Sequence, residues 1–267
     1  MVDFEYKSSY NVDDFRRIIE ILRSPGGCPW DIEQTHSSIR RNLLEEAYEA
    51  CEAIDENDPE HLKEELGDLL MQVIFHSRME EEKGVFNLDD VADTAVKKLI
   101  FRHPHVFGEA SVSGSAQVLQ NWDELKRREK AQTTVAKTME DVAESLPALW
   151  RAEKIQKKAK KVGFDWHELS GALDKLSEEH SELLSAIAEC DKAHIEEELG
   201  DLLFAAVNAA RFLDIDPETA LHKSCDKFIR RFNYMENEAS KAGLELGKMS
   251  LEEMESLYQQ GKLENHE

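Results

Sequence analysis

The sequence predicts an all-α protein assembled from two copies of one helical domain. Apolar residues recur at three- and four-residue spacing over long stretches, while short alternating runs bounded by turn residues are nearly absent. A shift of 133 positions then lays residues 43–70 (LLEEAYEACEAIDENDPEHLKEELGDLL) over residues 176–203 (LSEEHSELLSAIAECDKAHIEEELGDLL) without a gap, and roughly half the positions are identical. A period this long marks two homologous domains, since solenoid units are far shorter.

The elements follow in order. A first helix over 13–23 stops at Ser24-Pro25-Gly26-Gly27-Cys28-Pro29, where proline and glycine break the helical pattern. A second over 39–56 ends at Asn57-Asp58-Pro59. A third over 61–82 has Gly84 as its C-cap, and a fourth over 89–102 ends before His103-Pro104. The small, polar stretch GEASVSGSAQ (108–117) and the break at Ser145-Leu146-Pro147 delimit a connection carrying a helix around 118–130. The expected organisation is an N-terminal domain at 1–108, a connecting helix and linker at 109–147, and a C-terminal domain at 148–267 with a short terminal helix over 250–260. With a slightly different offset Lys98 and Arg102 fall on Lys227 and Arg231, so the repeat extends beyond one motif.

Composition excludes several classes of function. The 267 residues, 41% apolar, suffice to bury cores, and the net charge of −23 opposes the broad basic field that draws proteins onto nucleic acid or anionic membranes. Neither partner is expected. Four scattered cysteines without a CxxC pair fit a reducing cytoplasm. The first residues lack a basic region followed by an apolar one, and no segment offers the run of roughly eighteen apolar residues that a membrane-spanning helix needs.

The chemistry lies in paired carboxylates. Glu45-Glu46-x-x-Glu49 and Glu178-Glu179-x-x-Glu182 are common patterns in so acidic a chain, and singly each reads as a solvated helix face. Their significance comes from the ELGDLL segment that follows at the same distance in both repeats. Glu46 with Glu49, Glu65 with Asp68, Glu179 with Glu182, and Glu198 with Asp201 are each spaced i, i+3 and project from one helix face. A short connection lets each pair of helices form an antiparallel hairpin on which four carboxylates converge. Like charges so close are unfavourable without a cation, and an all-oxygen ligand set selects Mg²⁺, Mn²⁺ or Ca²⁺ over zinc, Mg²⁺ being favoured when phosphates complete its shell. A di-iron carboxylate bundle would need Glu-x-x-His motifs on two helices, whereas the one match, Glu33-x-x-His36, sits beside the breaker cluster. Gly67 and Gly200, inside the ELGDLL helices, suggest close helix packing beside the site.

Lys175 stands one turn before Glu179, where it suits an ion pair or a phosphate contact, and Lys227 with Arg231 forms a basic pair on a later helix. Asn208, two turns after Asp201 on the same face, suits either a sugar or base contact or a buried structural amide. Under the 133-residue shift Lys175 aligns with Asn42 and Asn208 with Phe75, so the C-terminal repeat is the better equipped. Trp30, Trp122, Trp150, Trp166 and Tyr258 offer stacking faces, although single aromatics more often fill cores. His103 and His105, flanking Pro104, read as packing residues.

These residues give the chain a resemblance to MazG, the two-domain nucleoside triphosphate pyrophosphohydrolases of the all-α NTP pyrophosphatase superfamily. It rests on GGCPWD (26–31), the two EExxE/ExxD sets, RHPHVFG (102–108), SLPAL (145–149), KIQKKAKKVGFDW (154–166) and KFIRRF (227–232). The resemblance implies a homodimer whose helices pack as four-helix bundles, and Mg²⁺-dependent cleavage of ribo- and deoxyribonucleoside triphosphates between the α and β phosphates, serving to clean the nucleotide pool. It also implies that Glu179, Glu182, Glu198 and Asp201 are the catalytic metal ligands, with Glu46, Glu49, Glu65 and Asp68 as counterparts. Lys175, Lys227, Arg231 and Tyr258 become substrate contacts, and Glu178, His194 and Asn208, on the same expected hairpin as Lys175, are expected to contact the substrate as well. His194 stands where the family's best-known pattern has a lysine before the second acidic motif, and Tyr258 where it has a tryptophan. A narrow dCTP/dUTP or phosphoribosyl-ATP pyrophosphohydrolase, a nucleotide sensor without turnover, and a plain helical interaction protein are the competing readings.

Overall fold

A computed structural model describes residues 4–129 and 134–264. Among these the regular structure is helical. The helices are α1 (Val12–Arg23), α2 (Pro29–Glu33), α3 (Arg40–Glu56), α4 (Pro59–Glu81), α5 (Leu88–Arg102), α6 (Pro104–Phe107), α7 (Ser115–Glu129), α8 (Val135–Glu140), α9 (Ala148–Lys160), α10 (Leu169–Glu189), α11 (Lys192–Phe212), α12 (Pro217–Lys241) and α13 (Leu251–Glu264), with a 3₁₀ turn at Leu246–Lys248 before the last. The chain divides into two compact units, 1–126 and 127–267. That division falls inside the expected connection at 109–147. The helix expected over 118–130 corresponds to α7, its last residue, Lys130, lying outside the described residues.

Each unit is organised around one antiparallel hairpin, α3 with α4 and α10 with α11. The two hairpins turn by the same device. Asn57 and Cys190, equivalent under the repeat, end α3 and α10 in the left-handed conformation at φ 55° and 56°. The next residue then caps the following helix. Asp58 Oδ1 accepts from the Glu60 and His61 N–H groups at 3.0 and 3.1 Å, and Asp191 Oδ1 from those of Ala193 and His194 at 3.0 and 3.4 Å. This cap explains why α4 begins at Pro59, before the expected start: proline at the first helical position lacks only an N–H that would be orphaned anyway. Proline likewise opens α2 and α6, two short helices where the sequence reading had only breakers.

In the first unit Ile19 of α1, Ile39, and Ile74, Phe75 and Met79 of α4 form the buried core, with Phe15, Leu22, Leu70, Met71 and Leu88 packed around it. His36 is held there too. Its Nδ1 lies 2.7 Å from Nδ1 of His76, its Nε2 2.5 Å from Glu80, and burial keeps the His76 imidazole below its usual pKa. In the second unit the buried residues are mostly small: Ala172 and Ala186 on α10, Ala205, Val207 and Ala209 on α11, Met235 and Ala239 on α12. The α9 helix lies along α11, where Gln156 Nε2 donates to the Phe204 carbonyl at 2.8 Å, and α12 pairs with α13. The close packing expected at Gly67 and Gly200 is not made within the chain, since a Cβ at either position would meet nothing within 4 Å. Both glycines face open space.

Candidate metal and nucleotide site

Each hairpin brings three of its four expected carboxylates together. In the second unit one oxygen each from Glu179, Glu182 and Glu198 lies within 4.8 Å of the others, and the same holds for Glu46, Glu49 and Glu65 in the first. Residues equally distant from the turn face each other in an antiparallel hairpin, which sets Glu182 beside Glu198. Asp201, one turn further along α11, is exposed and stands outside this grouping. Asp68 is half-buried and close enough to act on Glu46.

The electrostatics are those of crowded anions. Burial, then the charges of Asp68, Glu49 and Glu65, raise the carboxyl of Glu46 above its ordinary range. Burial and the charges of Glu179 and Glu198 do the same to Glu182 against the opposing field of Lys175. Glu179 is only 5% exposed, and Oε2 of Glu198 is buried without a hydrogen-bond partner. A buried carboxylate oxygen with unshared lone pairs, next to two more carboxylates, is a donor set suited to a hard divalent cation.

Lys175 and His194 meet the cluster directly. Lys175 Nζ binds Glu179 at 2.6 Å and Glu178 at 2.9 Å, and these bonds raise its pKa, keeping it charged. His194 Nε2 lies 3.1 Å from Glu198 and its Nδ1 3.3 Å from Glu189; burial disfavours its charged form, yet the two carboxylates raise its pKa overall. The first unit repeats the histidine arrangement with His61, between Glu56 at 3.4 Å and Glu65 at 3.3 Å. Sequence reasoning passed over His61, although the 133-residue shift aligns it with His194.

The remaining candidates lie elsewhere in the second unit. Asn208 Oδ1 accepts a hydrogen bond from Arg211 at 2.6 Å, and Arg211 forks onto Asp165, two partners that the sequence reading did not single out. Lys227 and Arg231 are on α12. Tyr258 of α13 packs against this helix, 5.7 Å from the ring of Phe228 and 5.8 Å from the Arg231 guanidinium. The three therefore share one helix pair, whereas Lys175 and His194 touch the carboxylates. Of the tryptophans, Trp122 lies between Arg102 and Lys126, Trp150 donates to Asp216 at 2.9 Å, and Trp166 rests on Gly171.

Comparison with known proteins places this duplicated carboxylate hairpin. The profile of the MazG nucleotide pyrophosphohydrolase domain matches residues 34–107 and 168–235, one segment over each hairpin. The chain belongs to the MazG family. An Escherichia coli (strain K12) protein named nucleoside triphosphate pyrophosphohydrolase is 45% identical over 254 residues, covering 94% of this chain and 97% of its own length. A Thermotoga maritima protein named nucleoside triphosphate pyrophosphohydrolase/pyrophosphatase MazG is 44% identical over 92% of this chain and 93% of its own. A longer Bacillus subtilis protein, YabN, is 48% identical, its match taking in 93% of this chain and 51% of its own length. The MazG match thus extends over both repeats.

Proposed function

We propose that this chain hydrolyses nucleoside triphosphates, ribo- and deoxyribo- alike, to the monophosphate and pyrophosphate at the carboxylate cluster of α10 and α11. The observation that carries the reading is the gathering of Glu179, Glu182 and Glu198, with Lys175 bonded to Glu179 and one Glu198 oxygen left without a partner, and the names of full-length relatives support it. Glu179, Glu182 and Glu198, with Asp201 one turn away, would hold Mg²⁺. Bound there, the ion would neutralise triphosphate oxygens and lower the pKa of a water that attacks phosphorus. Lys175 supplies a fixed positive charge beside the cluster, and Lys227 and Arg231 offset further phosphate charge from α12. Tyr258 offers a ring face to the base, and the domain at 148–267 carries most of the activity because the first repeat has Asn42 and Phe75 in place of Lys175 and Asn208.

The chain acts as a homodimer in this reading. Leu173, Leu184 and Ile187 of α10 and Leu199, Leu203 and Phe204 of α11 are all exposed, an apolar face that a second hairpin would bury to complete a four-helix bundle. The deciding experiment incubates the pure protein with mixed nucleoside triphosphates and Mg²⁺ and measures pyrophosphate against orthophosphate. Pyrophosphate as the first product, abolished by excess EDTA, is the expected result. Orthophosphate first, or undiminished turnover in EDTA, would overturn it, and binding without turnover would make the protein a sensor.

A further inference from the structure

Asn208 lies in a network that has no counterpart in the first repeat. The Arg211 side chain is 5% exposed, and its Nη1 donates to Asp165 Oδ2 at 3.0 Å while its Nη2 donates to Asp165 Oδ1 and to Asn208 Oδ1. Asp165 Oδ1 also accepts from the backbone N–H of Trp166 at 3.1 Å. The Trp166 ring in turn covers Gly171 on the first turn of α10, where a Cβ would come within 2.9 Å of Trp166 Cε3. The loop after α9, the end of α11 and the start of α10 are thereby tied together one turn before Lys175.

Arginine can only donate, so the atom that Asn208 turns toward Arg211 must be its carbonyl oxygen. The carboxamide is fixed by this bond, and its NH₂ group is the end left to meet a ligand. Because the hairpin turns at Cys190, Asn208 is level with Ala172, beyond Lys175 and further still from the cluster at Glu182 and Glu198. A phosphate chain held at the carboxylates and Lys175 would direct its nucleoside toward Asn208.

The first repeat shows that packing does not demand this network. Phe75 replaces Asn208 there and is buried under the guanidinium of Arg23, which lies 5.1 Å from its ring and holds α2 by donating to the Asp31 carbonyl at 2.5 Å. Arg78, in the place of Arg211, pairs with Glu81 and Glu82 instead. One hairpin closes on an aromatic ring, and the other keeps a polar amide at the same position. We propose that Asp165 and Arg211 are positioning residues that lock the Asn208 carboxamide so that its NH₂ donates to an oxygen or nitrogen acceptor on the sugar or base of the nucleotide. The inference rests on the proposed nucleotide site at α10 and α11.

The test compares a nucleoside triphosphate with inorganic triphosphate, which has the phosphates and no nucleoside. Asn208→Leu and Asp165→Asn should each raise KM for the nucleotide about five- to tenfold, the size of one lost neutral hydrogen bond, with kcat within about threefold of the parent. Inhibition by Mg²⁺-bound inorganic triphosphate should not change. The double variant should match Asn208→Leu alone, because Asp165 acts through the amide. A nucleotide KM unchanged in Asn208→Leu overturns the proposal, and so does equal weakening of nucleotide and inorganic triphosphate. Should Asp165→Asn not fold, Asn208→Leu decides by itself, its thermal midpoint reporting that the hairpin is intact. If the parent protein shows no turnover, the pyrophosphohydrolase reading fails, and calorimetric affinities for an α,β-imido nucleotide and for inorganic triphosphate decide the role of Asn208 by the same comparison.

Discussion

At the scale of single residues the second unit pairs its buried arginine, Arg211, with the carboxylate of Asp165. Removing the carboxylate in Asp165→Ala leaves a buried guanidinium uncompensated, at a cost of about 3–5 kcal/mol. The effect has a pH signature. Burial disfavours the charged carboxylate, but the Arg211 hydrogen bonds and charge outweigh it and hold Asp165 below the usual carboxylate range. A lowered folded pKa contributes stability that is complete above the unfolded value of about 3.9 and is lost as pH falls through the folded one. Urea unfolding should therefore show a constant gap between parent and Asp165→Ala from about pH 7 to 5, narrowing by about pH 3. A gap independent of pH would contradict the pairing. Tyr258 poses a different question, since its ring is engaged by Phe228 and Arg231. Tyr258→Ala should lower the thermal midpoint through lost packing and, if the base stacks there, raise KM by about ten- to a hundredfold. Lost stability with an unchanged KM would assign the tyrosine to packing alone.

At the scale of elements the hairpin turn decides where the carboxylates meet. Cys190 occupies a left-handed conformation that crowds its Cβ against the backbone, so Cys190→Gly should stabilise the protein by up to about 1 kcal/mol. Asp191→Ala should cost about 1 kcal/mol by uncapping α11, and it loosens the turn that carries His194 and Glu198. Equilibrium unfolding of the two variants checks both signs. The pairing of carboxylates was legible from i, i+3 spacing and the repeated interval to ELGDLL, because helical periodicity is a local property. The short helices α2 and α6 were not legible, because a proline can open a helix as readily as end one, and which it does depends on the neighbouring backbone.

At the scale of the whole molecule the duplication yields two clusters of the same carboxylates with unequal surroundings. Glu46→Gln with Glu49→Gln should cost far less turnover than Glu179→Gln with Glu182→Gln, because only the second cluster has Lys175 bonded to it and an asparagine fixed further along α11. Pyrophosphate release by the two double variants measures this directly. A dead N-terminal variant beside an active C-terminal one would reverse the assignment. Metal binding need not distinguish the units, as both gather three glutamates within the same distance. Among the described residues no helix is long and apolar enough to cross a membrane.

The sequence by itself determined the helical class, the two repeats, the hairpins within them and the carboxylate pairs, since all of these follow from periodicity and self-similarity along the chain. It also pointed to Lys175, whose i, i+4 spacing to Glu179 is a property of one helix. Only the tertiary structure decided that Glu198 has a buried oxygen left without a partner, that His61 and His194 bridge glutamates across each turn, that Tyr258 lies on α12, and that Asp165 and Arg211 hold Asn208. Asp165 and Arg211 are 46 positions apart, and their contact depends on how α9 and its loop fold back along α11. No spacing rule along a single helix encodes such a contact, because it is set by packing between helices.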